Sequence, residues 1–135
     1  MTTNPVFVYV EDDTVSRSIM QTLLCRVMGY EHLTVFADSA NFMAKLEALP
    51  ARPDVVFLDI HVQPYNGFQM LDMLRGDERY KETFVVALTA SVMNEEVKQL
   101  RSAGFDGGIA KPLDQAHFSD LVQSILRRES VWHIR

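Results

Sequence analysis

The chain has 135 residues, of which 47% are hydrophobic and 23% charged, with a net charge of −5. That is one domain's worth of ordinary globular composition. The acidic balance argues against nucleic-acid binding, which needs a basic face. No run approaches the roughly 18 apolar residues of a membrane span, and a lone Cys25 excludes an internal disulfide.

Val6-Phe7-Val8-Tyr9-Val10 opens the chain as a short strand, apolar on both faces, and closes on Glu11-Asp12-Asp13. The residues before it lack a charged-then-apolar leader pattern, and with Cys25 this gives the expectation of a soluble cytoplasmic protein. Val15, Ile19, Leu23 and Val27 read as the stripe of a first helix, capped by Asp13 or Thr14 and ended by Gly29. His32–Phe36 is a weaker strand. Phe42, Met43, Leu46 and Leu49 mark a second helix, started by Asp38 or Ser39 and stopped by Pro50.

Val55-Val56-Phe57-Leu58 is the next apolar run, and it ends on Asp59. Phe68, Leu71 and Leu74, followed by Gly76, make a third helix. Phe84–Leu88 is a strand closed by Thr89. Val97 and Leu100 belong to a fourth helix ending at Gly104. Gly108–Ala110 is a weak fifth strand before Lys111-Pro112, and Phe118, Leu121, Val122 and Ile125 form the fifth helix. Strands apolar on both faces, alternating with helices, imply a parallel sheet with right-handed crossovers.

In such sheets ligands bind beyond the carboxyl ends of the strands. Glu11, Asp12, Asp59, Thr89 and Lys111 all fall there. Taken singly, each has an ordinary reading: a helix cap, a strand-end hydroxyl, a solvated lysine. Together they place three carboxylates at one sheet edge. Such a cluster persists only where a cation or a proton relieves its repulsion.

These residues also carry a family likeness. Val10-Glu11-Asp12-Asp13 with Arg17, Pro53 through Asp59, Gly67-Phe68, Leu88-Thr89-Ala90, Ala103 through Gly107, and Lys111-Pro112 occur in the order and at the separations of the receiver domain of two-component response regulators. The sequence resembles that family over nearly its whole length. The resemblance implies a flavodoxin-like (βα)5 three-layer α/β sandwich with a five-stranded parallel sheet in the order 2-1-3-4-5. It implies a receiver domain over residues 5–128, a C-terminal tail over 129–135 and no effector domain. Asp59 would accept a phosphoryl group from a sensor histidine kinase or phosphotransfer protein. Asp12 and Asp59 would bind Mg²⁺ directly, Glu11 through water, and the His61 backbone carbonyl would complete the protein ligands. Lys111 would face the phosphoryl group, its bond to Pro112 cis, and Thr89 would be the switch. The chain would then be a signalling protein rather than an enzyme, apart from slow autodephosphorylation. It would act on a downstream protein, with a homodimer through the face of helix 4, strand 5 and helix 5 as a further possibility.

Three departures qualify the likeness. After Asp59 the chain reads His61-Val62-Gln63-Pro64, with proline one step late, so the loop is re-routed at unchanged length. The family's switch aromatic falls on Gly108, which suggests that a signal leaves through the loop after strand 4 and helix 4. Only a short segment containing Trp132 follows helix 5, either a partner contact or a tail folded back on the domain. Two other function classes remain beside the phosphoacceptor. One is a phosphorylation-independent binding module on the same fold. The other, an aspartyl phosphatase, needs an acid two residues after the nucleophile, where this chain has His61. His32, His117 and His133 show no metal-ligand spacing and read as surface residues.

Overall fold

A strand that is apolar on both sides needs cover on both faces, and the computed structural model, which describes residues 4–90 and 93–133, supplies it. The strands are β1 (Val6–Val10), β2 (His32–Phe36), β3 (Val55–Asp59), β4 (Phe84–Thr89), β5 (Gly107–Ala110) and β6 (Val131–His133). All pair in parallel, in the order β2-β1-β3-β4-β5-β6. The helices are α1 (Thr14–Gln21), α2 (Phe42–Glu47), α3 (Gly67–Arg75), α4 (Asn94–Ala103) and α5 (Gln115–Leu126).

Because side chains alternate across a strand, each strand feeds two cores. Val8, Val10, Val56, Leu58, Val85 and Ala87 face one side, against Phe42 and Leu46 of α2, Met70, Leu71 and Leu74 of α3, and Leu100 of α4. Phe7, Tyr9, Val55, Phe57, Val86 and Leu88 face the other, against Met20, Leu23 and Leu24 and then Phe118, Val122 and Ile125 of α5. Phe57 anchors this second core, with Phe7, Tyr9 and Phe118 around its ring. Fully burying a side chain of that size is worth about 1.5–3 kcal/mol. The three-layer α/β fold with strand order 2-1-3-4-5 is present, and a sixth strand extends it.

The first helix differs in detail. Val15 and Val27 are 65% and 54% exposed, while Met20, Leu23 and Leu24 are buried. A stripe spaced strictly by four drifts about 40° per step on a 3.6-residue helix, so its two ends leave the buried face. The helix also widens into a π-helical stretch over Thr22–Val27, where Met28 N donates to Leu23 O at 3.0 Å. Asp13 caps α1 by accepting from Ser16 N at 2.8 Å. At α2 neither expected side chain caps. Asn41, in the left-handed region, precedes the helix, while Asp38 accepts from Ala40 N.

Within the segment 129–135, expected as a tail, Val131–His133 form β6, which lies along β5 with Val131 opposite Gly107 and Trp132 opposite Gly108. Gly107 makes this possible, since a Cβ there would stand 2.6 Å from Val131 O. Trp132 folds back, packing against the first core, with the guanidinium carbon of Arg101 on α4 4.6 Å from its ring centroid.

Candidate functional site

The register of the interior strands places the site. β1, β3 and β4 stop almost level, so Glu11 and Asp12 (just past β1), Asp59 (ending β3) and Thr89 (ending β4) meet at one edge. Glu11 N donates to Phe36 O at 3.0 Å, which keeps the chain in the sheet one residue beyond β1 and turns the Glu11 side chain inward. That side chain is fully buried. Its Oε1 accepts from Tyr9 Oη at 2.6 Å and from Lys111 Nζ at 2.9 Å, and its Oε2 accepts from Asp13 N at 3.2 Å. Asp12, by contrast, is exposed at the mouth. Carboxylate oxygens of Glu11, Asp12 and Asp59 lie within 4.8 Å of one another.

Asp59 is only 3% exposed. Its Oδ1 accepts from His61 N at 3.4 Å and lies 3.4 Å from Lys111 Nζ. The lysine thus sits between two buried carboxylates. Burial first, and then the neighbouring Glu11, push the Asp59 carboxyl up to about 6, against the pull of Lys111. Burial would raise Glu11 as well, but hydrogen bonds from Tyr9, Lys111 and Asp59 hold it below its ordinary value. Burial would lower Lys111, yet its two carboxylate partners hold it above the usual lysine range. Tyr9, buried and bonded to Glu11, is pushed far above a free phenol. The cation on Lys111, within reach of both Glu11 and Asp59, offsets part of the repulsion of the cluster.

The Lys111 backbone N donates to Thr89 O at 2.8 Å, and its peptide bond to Pro112 is cis, as expected. Thr89 is fully buried, and its Oγ1 donates to Glu96 Oε1 on α4 at 2.8 Å. Arg17 Nη1 donates to Glu11 O at 2.9 Å, tying α1 to the end of β1. His61 is exposed directly after β3. In the loop after β4, residues 91 and 92, part of the expected exit route, lie outside the described residues.

The re-routed loop after Asp59 is pinned by a residue that carried no sequence signal for this role. Buried Ser39 donates through Oγ to Tyr65 O at 2.6 Å, accepts from Tyr65 N at 2.7 Å, and donates through its own N to Gln63 O at 3.2 Å. The Gln63–Pro64 bond is cis. The fold also groups the histidines differently from their sequence spacing. His117 is exposed, but β6 brings His133 beside it and Asp114, a second cluster of potential metal ligands.

Comparison with known proteins identifies the family and the fold. The response regulator receiver domain matches the chain over residues 7–123. Stress response regulator protein 1 of Meyerozyma guilliermondii is 26% identical over 124 residues, covering 90% of this chain and 56% of that protein. The polar-differentiation response regulator DivK of Brucella ovis is 28% identical over 121 residues, covering 87% of this chain and 92% of that protein. Among solved structures, the chemotaxis response regulator CheY4 of Vibrio cholerae superposes with a TM-score of 0.80 at 24% identity, over 91% of this chain and 99% of that one. The receiver domain of sensor histidine kinase PA1611 from Pseudomonas aeruginosa, described with a magnesium ion in its active-site cleft, has a TM-score of 0.75 at 23% identity. It covers 89% of this chain and 95% of that one.

Proposed function

Because the chain belongs to the response regulator receiver family, a family of signalling modules in two-component systems, we propose that it is a phosphoacceptor, phosphorylated on Asp59 in the presence of Mg²⁺. The observation that carries the reading is Asp59 itself: buried at the end of β3, within ion-pair reach of Lys111 and beside two further carboxylates. An Asp59 oxygen attacks the phosphorus of a phosphohistidine on a kinase or phosphotransfer partner. The P–N bond breaks, an acyl phosphate forms, and the leaving imidazole nitrogen takes a proton from solvent.

The donor set fits a hard divalent cation, being all oxygen and carrying more negative charge than Lys111 alone offsets. Asp12 and Asp59 would hold Mg²⁺, with the His61 carbonyl completing the protein ligands. Glu11, already engaged by Tyr9 and Lys111, suits support through water rather than direct ligation. When bound, the ion neutralises charge on the transferring phosphoryl group. The PA1611 receiver, described with magnesium in its cleft, supports this assignment by analogy. Lys111, whose side chain is 19% exposed, turns toward the incoming phosphoryl oxygens.

Thr89 is the switch in this reading. Its hydroxyl leaves Glu96 for a phosphoryl oxygen, and α4 loses a hydrogen bond to the site. One charge-assisted hydrogen bond contributes roughly 1.5–3 kcal/mol, whereas a full population shift needs about 5.5 kcal/mol. Other contacts between β4 and α4 therefore share the work. Any homodimer through the face of α4, β5 and α5 has to include β6, which occupies the outer side of β5. Residues 5–128 are the phosphoaccepting unit, with β6 packed on it.

The test is acetyl phosphate with Mg²⁺, read by intact mass. The wild type should gain one phosphoryl group, Asp59→Asn none. No adduct on the wild type would favour the second reading, a phosphorylation-independent binding module. That reading draws on Gly108, which puts no side chain where the family's switch aromatic stands.

A further inference from the structure

A second group of side chains converges at the far corner of the sheet, where α5 begins and β6 ends. Asp114 is the N-cap of α5: its Oδ1 accepts from Ala116 N at 2.9 Å, which holds the carboxylate in place and turns Oδ2 toward His117 Nδ1, its hydrogen-bonding partner. His133, the last residue of β6, arrives from the other side. Its ring centroid lies 5.2 Å from that of His117, with 34° between the planes. One ligand atom from each of Asp114, His117 and His133 falls within 4.8 Å of the others.

The position of His133 is fixed by the sheet. Ile109 and His133 are register partners, and Val131, two residues earlier, is buried in the second core. The third ligand therefore rides on a strand anchored at its start, while the other two stand three residues apart on one turn of α5. A surface ion pair between Asp114 and His117 accounts for those two residues but not for the second imidazole drawn up against them.

From this convergence we propose a second cation site, formed by Asp114, His117 and His133, for a first-row divalent metal of the Zn²⁺ class. Two imidazoles and one carboxylate are the ligand chemistry of borderline metals, whereas Mg²⁺ prefers oxygen alone. Tetrahedral Zn²⁺ with bonds of about 2.0 Å holds its ligand atoms about 3.3 Å apart, so only a small closing motion is needed. On loading, the metal takes the place of the proton between Asp114 and His117 Nδ1, the neutral ring then carrying its proton on Nε2, and water fills the fourth position. The site is open, since the Asp114 and His117 side chains are 48% and 59% exposed. Its effect is to fasten β6 to the start of α5, so that the strand covering β5 is held partly by metal.

The site stands independently of phosphorylation at Asp59, and its test is chosen accordingly. Zn²⁺ is titrated into the full chain carrying Asp12→Asn, which weakens the carboxylate cluster as a competing site. Histidine ring nitrogens are followed by ¹⁵N NMR, and hydrogen exchange is followed at 131–133. The rings of His117 and His133 should shift together while His32 does not, exchange at 131–133 should slow, and Mg²⁺ should do neither. His133→Gln and His117→Gln, at accessible positions, should keep the fold by circular dichroism and weaken Zn²⁺ at least about tenfold. Unchanged affinity in both variants, or shifts confined to His61, would overturn the proposal and leave a surface ion pair only.

Discussion

The centre and one edge of this sheet are built on opposite principles. At the centre, β1, β3 and β4 are buried on both faces and end in Glu11, Asp59 and Thr89, all buried and all hydrogen-bonded or ion-paired. At the edge, β5 is a four-residue strand beginning with two glycines, and β6 is three residues long. The centre holds charged groups rigidly by packing. The edge is held by backbone pairing, buried Ile109 and Val131, and a tryptophan under an arginine. The buried charged groups sit where packing is deepest, and one of the departures from the family pattern, Gly108, sits in the short strand at the edge.

The comparison is tested hardest by Lys111→Met. It leaves fully buried Glu11 without its cation, and breaking a buried pair typically costs about 3–5 kcal/mol. Urea unfolding near neutral pH should show a loss in that range together with failure to form the phosphoryl adduct. A loss below about 1 kcal/mol would mean that Tyr9 and water suffice to hold Glu11.

The pH dependence comes next. The folded-state pKa of Asp59, about 6, exceeds its unfolded value of about 3.9. Between these values the folded state keeps a proton that the unfolded state has released, so this group's contribution to stability falls as pH rises from about 4 to about 6. The total is on the order of 3 kcal/mol. Asp59→Asn removes it, so the variant's stability advantage should grow over that window and then level off. Glu11, held below its ordinary value partly by Asp59, contributes the opposite slope, so the difference reports the coupled pair. A difference independent of pH would place Asp59 in a less perturbed environment.

Gly107→Ala addresses the edge. Its Cβ would meet Val131 O at 2.6 Å, a backbone atom that can yield only if β6 shifts. Overpacking of this kind costs about 1–3 kcal/mol, and faster hydrogen exchange at 131–133 would identify β6 as the element displaced. The smallest effect is expected from Trp132→Leu, which keeps an apolar side chain against the first core but loses the Arg101 contact, worth about 0.5–1 kcal/mol where partly exposed. Thermal unfolding should register it while adduct formation at Asp59 stays unchanged. A variant that failed to accept phosphate would show that the edge and the centre are coupled more tightly than their packing suggests.

Much of this was legible in the residues. Val6–Val10, Val55–Leu58 and Phe84–Leu88 announce themselves as strands because burial on both faces leaves no polar position to blur the run. The acids, threonine and lysine at strand ends mark the site for the same reason, as polar groups placed where an apolar run stops. Ser39 is not legible, because its role depends on Tyr65 and Gln63 arriving from another loop. Val15 and Val27 mislead, because spacing by four mimics an apolar face that the helix does not bury.

By itself, the sequence determined the alternation of strands and helices and the family, along with which side chains gather at the carboxyl edge, since these follow from local periodicity and from position relative to each strand end. Only tertiary structure decided that Glu11 turns inward while Asp12 faces the mouth. It alone added β6 beside two glycines and brought His133 to Asp114 and His117. Each of these depends on which backbones lie next to one another across the sheet, a property of register and contact between distant segments that no local pattern encodes.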